Sequence, residues 1–218
     1  MKRRTSAAVA LAALACASAW GFTVSAQRPA NTPASDVPAV DAVEVGPQYS
    51  GGTTNLMRPA NYREWVFLSS SLGLTYQPAA GAPASPAAPQ FQNVFVNRSS
   101  YRGFMQTGKW PDKTIFVLEF RQSAAAASVN KDGRFQSGLA GIEAEVKDAR
   151  FPDGWAFYAF DQTAPAGGVP PLAGDRVARC IECHTQHTAV ERTFVQFYPT
   201  LFDVAKRLGT VKPNYTDP

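Results

Sequence analysis

Histidine, cysteine and methionine are scarce in this 218-residue chain, which has two, three and three of them. So few ligand-forming side chains confine any metal or cofactor site to a handful of positions. Charge is thin as well, at 17% of residues, and the net +4 rests on the first few positions. Lys2, Arg3 and Arg4 precede an apolar run over 7–20 that ends in the small residues Val24-Ser25-Ala26. That order is the pattern of a secretory signal peptide over 1–26, with cleavage expected after Ala26. The run is too short for a convincing membrane span. No bulky apolar residue closely follows Arg3-Arg4, which weakens a twin-arginine reading, and Leu14 sits one place too late for Cys16 to be a good lipid-attachment site. Losing the signal takes away three positive charges and one cysteine, leaving +1 and the pair Cys180 and Cys183. The basicity thus belongs to the signal and gives no reason to expect a nucleic-acid partner. A lone close pair of cysteines in an oxidising, periplasmic setting is a disulfide, a metal site or a cofactor attachment.

Large apolar side chains are also sparse over 27–60, a Pro/Ala-rich stretch that reads as a flexible leader, ordered at most at its end by Leu56 and Met57. A second Pro/Ala tract over 78–89 reads as an excursion between packed elements. The domain is expected over 61–212, with 213–218 a tail. Asn61 and Glu64 resemble a capping box, and Tyr62, Trp65, Leu68 and Leu72 recur at helical spacing before Gly73, so the spacing predicts a first helix there. Strands are predicted over 91–97, 114–121, 139–146 and 155–160, and helices over 99–107 and from Pro199 to a stop at Gly209. On the 99–107 helix Tyr101, Phe104 and Met105 would share a side. On the 114–121 strand Phe116, Leu118 and Phe120 would share one face and Ile115 and Val117 the other. In 139–146, Ala140, Ile142, Ala144 and Val146 would face in, leaving Glu143 and Glu145 on a solvated face or as a candidate acid–base carboxylate. Strands grouped in the middle with helices at both ends predict an α+β fold with an antiparallel sheet, because regular βαβ connections are lacking.

Cys180-Ile181-Glu182-Cys183-His184 is the C-x-x-C-H pattern of c-type haem attachment. Its spacing has a physical reason. Residues three and four apart share a helix face, so both thiols can reach the vinyl groups on one porphyrin edge while His184 turns under the ring to the iron. A disulfide between the two cysteines would close a tiny, strained loop. A thioredoxin-like pair usually stands near a βαβ pattern, and structural zinc, with His187 as fourth ligand, normally has different ligand spacing. One haem is therefore expected, bonded through Cys180 and Cys183 with His184 on the iron. His187, three residues on, lies on the same side of the ring and is read as a surface polar group. Met57 and Met105 are the remaining thioethers that could supply a sixth ligand, and Met105 is read first as core filler, leaving that position open.

With these residues in view, the chain resembles the cytochrome P460 family, which includes the cytochromes c′-beta. The resemblance is carried by Asn61-Tyr62-Arg63-Glu64-Trp65, by 101–108, 114–119, Gly141-Ile142-Glu143-Ala144, Val146-Lys147-Asp148 and Trp155-Ala156-Phe157-Tyr158, by the C-x-x-C-H, and by Phe197-Tyr198-Pro199. It implies a mostly antiparallel fold, usually a homodimer, and a five-coordinate haem. Members that oxidise hydroxylamine carry a lysine cross-linked to the haem, and the matching position here is Leu118, which has no nitrogen to form that bond. Lys109 and Lys113 lie nearby, on the preceding loop, and are read as solvated charges. With Phe116 and Leu118 lining it, the open side of the iron is expected to be apolar and suited to nitric oxide or carbon monoxide. Hydroxylamine or nitric oxide oxidation, and electron transfer with a redox partner protein, are the alternatives.

Overall fold

The computed structural model describes residues 46–74, 88–125, 127–161 and 167–216. The signal peptide, the leader up to residue 45 and most of the 78–89 tract lie outside the described residues. Five strands form one antiparallel sheet in the order β1-β2-β3-β4-β5, with β1 at Val66–Leu72, β2 at Phe91–Val96, β3 at Thr114–Ala124, β4 at Phe135–Lys147 and β5 at Trp155–Phe160. Helix α1, Arg98–Thr107, connects β2 to β3; α2, Gly174–Gln186, and α3, Pro199–Leu208, follow the sheet. The expected α+β class and antiparallel sheet are what the chain forms. Among the described residues no helix is long and apolar enough to cross a membrane.

The first predicted helix is instead a single 3₁₀ turn, Tyr62–Glu64, running into β1, and Asn61 makes no side-chain capping bond. A register shift between Phe67 and Ser69, where β1 pairs with β2, explains the misreading. The extra residue interrupts the period-two alternation, so apolar side chains recur at intervals that imitate a helix. Elsewhere the predicted elements stand, with β3 and β4 running longer than periodicity suggested.

Side chains alternate across the sheet and build two cores. On one face Ile115, Val117, Ile142, Ala144, Val146, Tyr158 and Phe160 pack with Tyr62 and Leu56. Leu56 is fully buried and its backbone bridges Val169, while the Tyr49 hydroxyl donates to the buried Asp148 carboxylate at 2.9 Å. Residues 46–60 of the expected leader thus lie against the domain, with Leu56, one of the two residues expected to order its end, fully buried. Burial of that leucine contributes about 2 kcal/mol toward holding the segment down. The opposite face packs Val96 and Phe116 against α1, α3 and the fully buried Trp110. Trp110 packs tilted against Phe104, centroids 4.2 Å apart, and meets Phe116 edge-on at 4.7 Å. Its indole N–H donates to Thr193 Oγ1 at 2.8 Å, which anchors the loop after α2 to this core.

Candidate functional site

The helix-bearing face of the sheet can be read from its register. Ser69 lies opposite Val94, Val94 opposite Leu118 and Leu118 opposite Glu143, which makes one row. Val96, Phe116, Glu145 and Phe157 make the next. Between this face and α2 lies a groove of roughly 630 Å³, a size suited to an organic cofactor. Val94, Leu118, Ser69, Ser71 and Gln92 form its sheet wall, Cys183 and Arg179 its helix wall, and Phe194, Phe197 and Tyr198 one end.

Of the two residues expected to line an apolar pocket, Leu118 does so. Phe116, one pair further along β3, is buried against Trp110 and belongs to the core. The wall is also less apolar than expected, since Ser69, Ser71 and Gln92 flank Val94 and Leu118. The helix-like spacing of apolar residues around Ser69 and Ser71 hides their place on a strand. No lysine lines the groove among the described residues. Lys113 is exposed, as expected, and its ammonium also pairs with the buried Asp148. Met105 packs beside the Trp110 core, and neither it nor Met57 lines the groove.

Helix α2 brings Cys180, Cys183 and His184 together on one half-buried stripe with Val177 and Ile181. None of its thirteen residues is buried, whereas the shorter α3 buries four. A helix in a folded domain is normally held by an apolar face packed against something. The motif face of α2 is thus under-packed by protein atoms alone, and a flat apolar cofactor fits that face. Both cysteines are free thiols. Burial raises the pKa of each, reinforced at Cys180 by Glu143 and Glu145 and at Cys183 by Glu182. Among the described residues no group of three or more His, Cys, Asp and Glu is placed to hold a metal ion, so the zinc alternative finds no ligand set.

The imidazole of His184 is gripped on three sides. Phe157 and Phe194 each meet it edge-on with centroids 4.8 Å away. Its Nδ1 lies 2.7 Å from the Arg192 carbonyl, an acceptor, so Nδ1 carries the hydrogen and Nε2 keeps its lone pair. The Arg192 carbonyl is presented by a tight turn in which Glu191 has φ +51°, closed by the Thr193 N–H donating to Val190 at 2.9 Å. A histidine tied through Nδ1 and oriented by packing is the arrangement seen where Nε2 serves as an iron ligand. His187 ends α2, is exposed, and stands on the groove rim.

The two carboxylates of β4 share the helix-bearing face with Leu118, where Glu143 is exposed and Glu145 is largely covered. Glu145 Oε1 lies 3.2 Å from His184 Nδ1 with the side chain 11% exposed. Burial raises its pKa, opposed by His184 and Arg192. Glu143 keeps solvent access, but partial dehydration of its carboxyl likewise raises its pKa, opposed by Arg176 and His184. The sequence pattern showed that both share a face; only the position of α2 makes that face the one beneath the motif histidine.

Fold and groove together define a class: a small α+β domain whose antiparallel sheet and one helix enclose a cofactor-sized cleft. The family model for cytochrome P460 matches residues 59–195, and the chain belongs to that family of haem cytochromes. No curated protein matches it.

Proposed function

We propose that this chain is an exported c-type cytochrome with one haem, bonded through Cys180 and Cys183 and ligated by His184 Nε2, whose other axial position takes small uncharged gases such as nitric oxide and carbon monoxide. The observation that carries this reading is helix α2, which holds both thiols and the tethered imidazole on one under-packed stripe and lines the groove through Cys183. Bound haem would supply an iron able to bind diatomic ligands and change oxidation state. His184 would hold that iron, and the ring contacts with Phe157 and Phe194 would keep the imidazole from rotating away. Val94 and Leu118 would keep part of the groove dry. Ser69, Ser71 and Gln92 offer neutral polar groups, while the sheet wall offers no arginine or histidine to assist peroxide cleavage.

Hydroxylamine oxidation of the cross-linked kind would need a lysine at the haem, and Leu118 stands where that lysine is expected. A six-coordinate electron carrier would need Met57 or Met105 in the groove, and both lie elsewhere. The test is an absorption spectrum of the purified protein, oxidised and reduced, with and without carbon monoxide or nitric oxide. Colour retained by the protein after acid and organic extraction, with gas-dependent shifts of the reduced bands, is the expected result. Colour lost to the solvent would overturn covalent attachment. A reduced form indifferent to both gases would favour the electron carrier, and a strongly red-shifted reduced band would favour the cross-linked oxidase. A homodimer and export to the periplasm belong to the same proposal and are tested by the mass of the native species and by the N-terminal residue of the mature protein.

A further inference from the structure

Three buried polar atoms near His184 lack an aligned hydrogen-bond partner: Glu145 Oε1, Glu191 Oε2 and Arg192 Nη1. Such atoms are costly, and each calls for an explanation. Glu145 is the informative one. The alternation of β4 turns it onto the helix-bearing face, opposite Phe116 on one side and Phe157 on the other, so apolar rings flank its backbone position. The Nδ1–H of His184 aims at the Arg192 carbonyl at 2.7 Å, so at 3.2 Å Glu145 Oε1 makes a charge contact rather than an aligned hydrogen bond. Around the pair, Glu191 is held by Lys147 at 2.8 Å, and Arg192 reaches Asp153 at 3.6 Å. Neither cation forms an ion pair with Glu145, whose carboxylate lies instead against the imidazole.

We infer that Glu145 is a positioning residue for His184: its carboxylate, pressed against the protonated Nδ1 side of the ring, raises electron density at Nε2 and thereby favours the ferric over the ferrous state of the iron held there. The inference rests on the proposed haem ligation by His184. Its physical basis is general, since an anion beside the far nitrogen of a ligating imidazole makes that imidazole a stronger donor, and low local dielectric magnifies the effect. The Arg192 carbonyl sets ring orientation, and Glu145 adds charge, so the two contacts have separable consequences.

The test compares the haem-loaded wild type with Glu145→Gln and Glu143→Gln by redox titration and by the iron–imidazole stretch of the reduced protein. Glu145→Gln keeps the side-chain shape and removes the charge. The expected result is a shift of the ferric/ferrous ratio at fixed potential by about tenfold or more toward ferrous, about 59 mV for one electron, with a lower stretching frequency. Glu143→Gln, which removes a charge that has no ring contact, should shift the ratio by less than about threefold. An unchanged ratio in Glu145→Gln, or an equal shift in both variants, overturns the inference. Should Glu145→Gln fail to fold, Glu145→Asp carries the test: withdrawing the carboxylate by one methylene should lower the stretch and move the ratio toward ferrous, and no change in either overturns it. Failure of the underlying reading looks different. In that case His184→Ala would keep the wild-type axial-ligand spectrum whatever happens at Glu145.

Discussion

Glu119 shows how a single charged residue can be stable inside a sheet. Its side chain is 3% exposed, yet Tyr62 hydroxyl, Arg63, Arg121 and Asn93 all donate to it. Burial pushes its pKa up, but those hydrogen bonds outweigh the push and hold it at about 2, while Tyr62 is raised to about 12 by burial and by the same carboxylate. A carboxyl depressed in the folded state stabilises the fold fully above its unfolded value and loses that contribution as pH falls toward the folded one. Urea titrations should therefore show stability falling between about pH 4.5 and pH 2. The contribution is up to about 3 kcal/mol, reduced by screening at the half-exposed Arg63. Glu119→Gln should be less stable at pH 7 and flatter in its pH response through that window. Equal slopes for both proteins would remove Glu119 as the cause. At the site itself, His184→Ala should abolish the axial-ligand spectrum while His187→Ala leaves it nearly intact. Equal damage from both would overturn the assignment of the ligand.

Among the elements, α2 and the loop behind it are the pair on which the site depends. Because no residue of α2 is buried in protein, chain prepared without cofactor should lose helix over 174–186, and amide exchange there should be fast while α3 stays protected. Strong protection of α2 in cofactor-free chain would mean that the helix needs no covering group. The loop is tied to the core through the indole of Trp110 and Thr193. Trp110→Ala should cost about 3–5 kcal/mol by emptying that core. Glycine matters most at Gly108, which ends α1 at φ +68° and where a Cβ would come within 2.5 Å of Thr210 Oγ1. Gly108→Ala should lower stability by at least about 1–2 kcal/mol from the left-handed backbone alone, read as a drop in the denaturation midpoint.

For the whole molecule, the segment before the family-matched region is part of the fold. Tyr49 reaches Asp148 across ninety-nine positions of sequence, and Leu56 pairs with Val169 next to the chain entering α2. A chain beginning at Asn61 should be measurably less stable than one beginning at Gly46, by thermal or urea midpoint, although it keeps every strand. Coincident midpoints would return 46–60 to the role of a mere leader.

The haem motif, the fold class and most strands and helices were legible in the chain because their signals are local: fixed spacing on one helical turn, period-two alternation, a proline at a helix start, a glycine beyond its end. What lay outside such reasoning depends on residues far apart. A bulge disguised β1 as a helix, and with it hid Ser69 and Ser71 on the groove wall. Phe116 and Leu118 look equivalent by alternation, but Trp110 claims the first and the groove receives the second. Glu145 has the sequence character of a solvated strand residue until α2 is laid over its face and a histidine comes to rest against it. Local spacing carries the C-x-x-C-H pattern; register between strands and the docking of a helix, both non-local, decide what surrounds it.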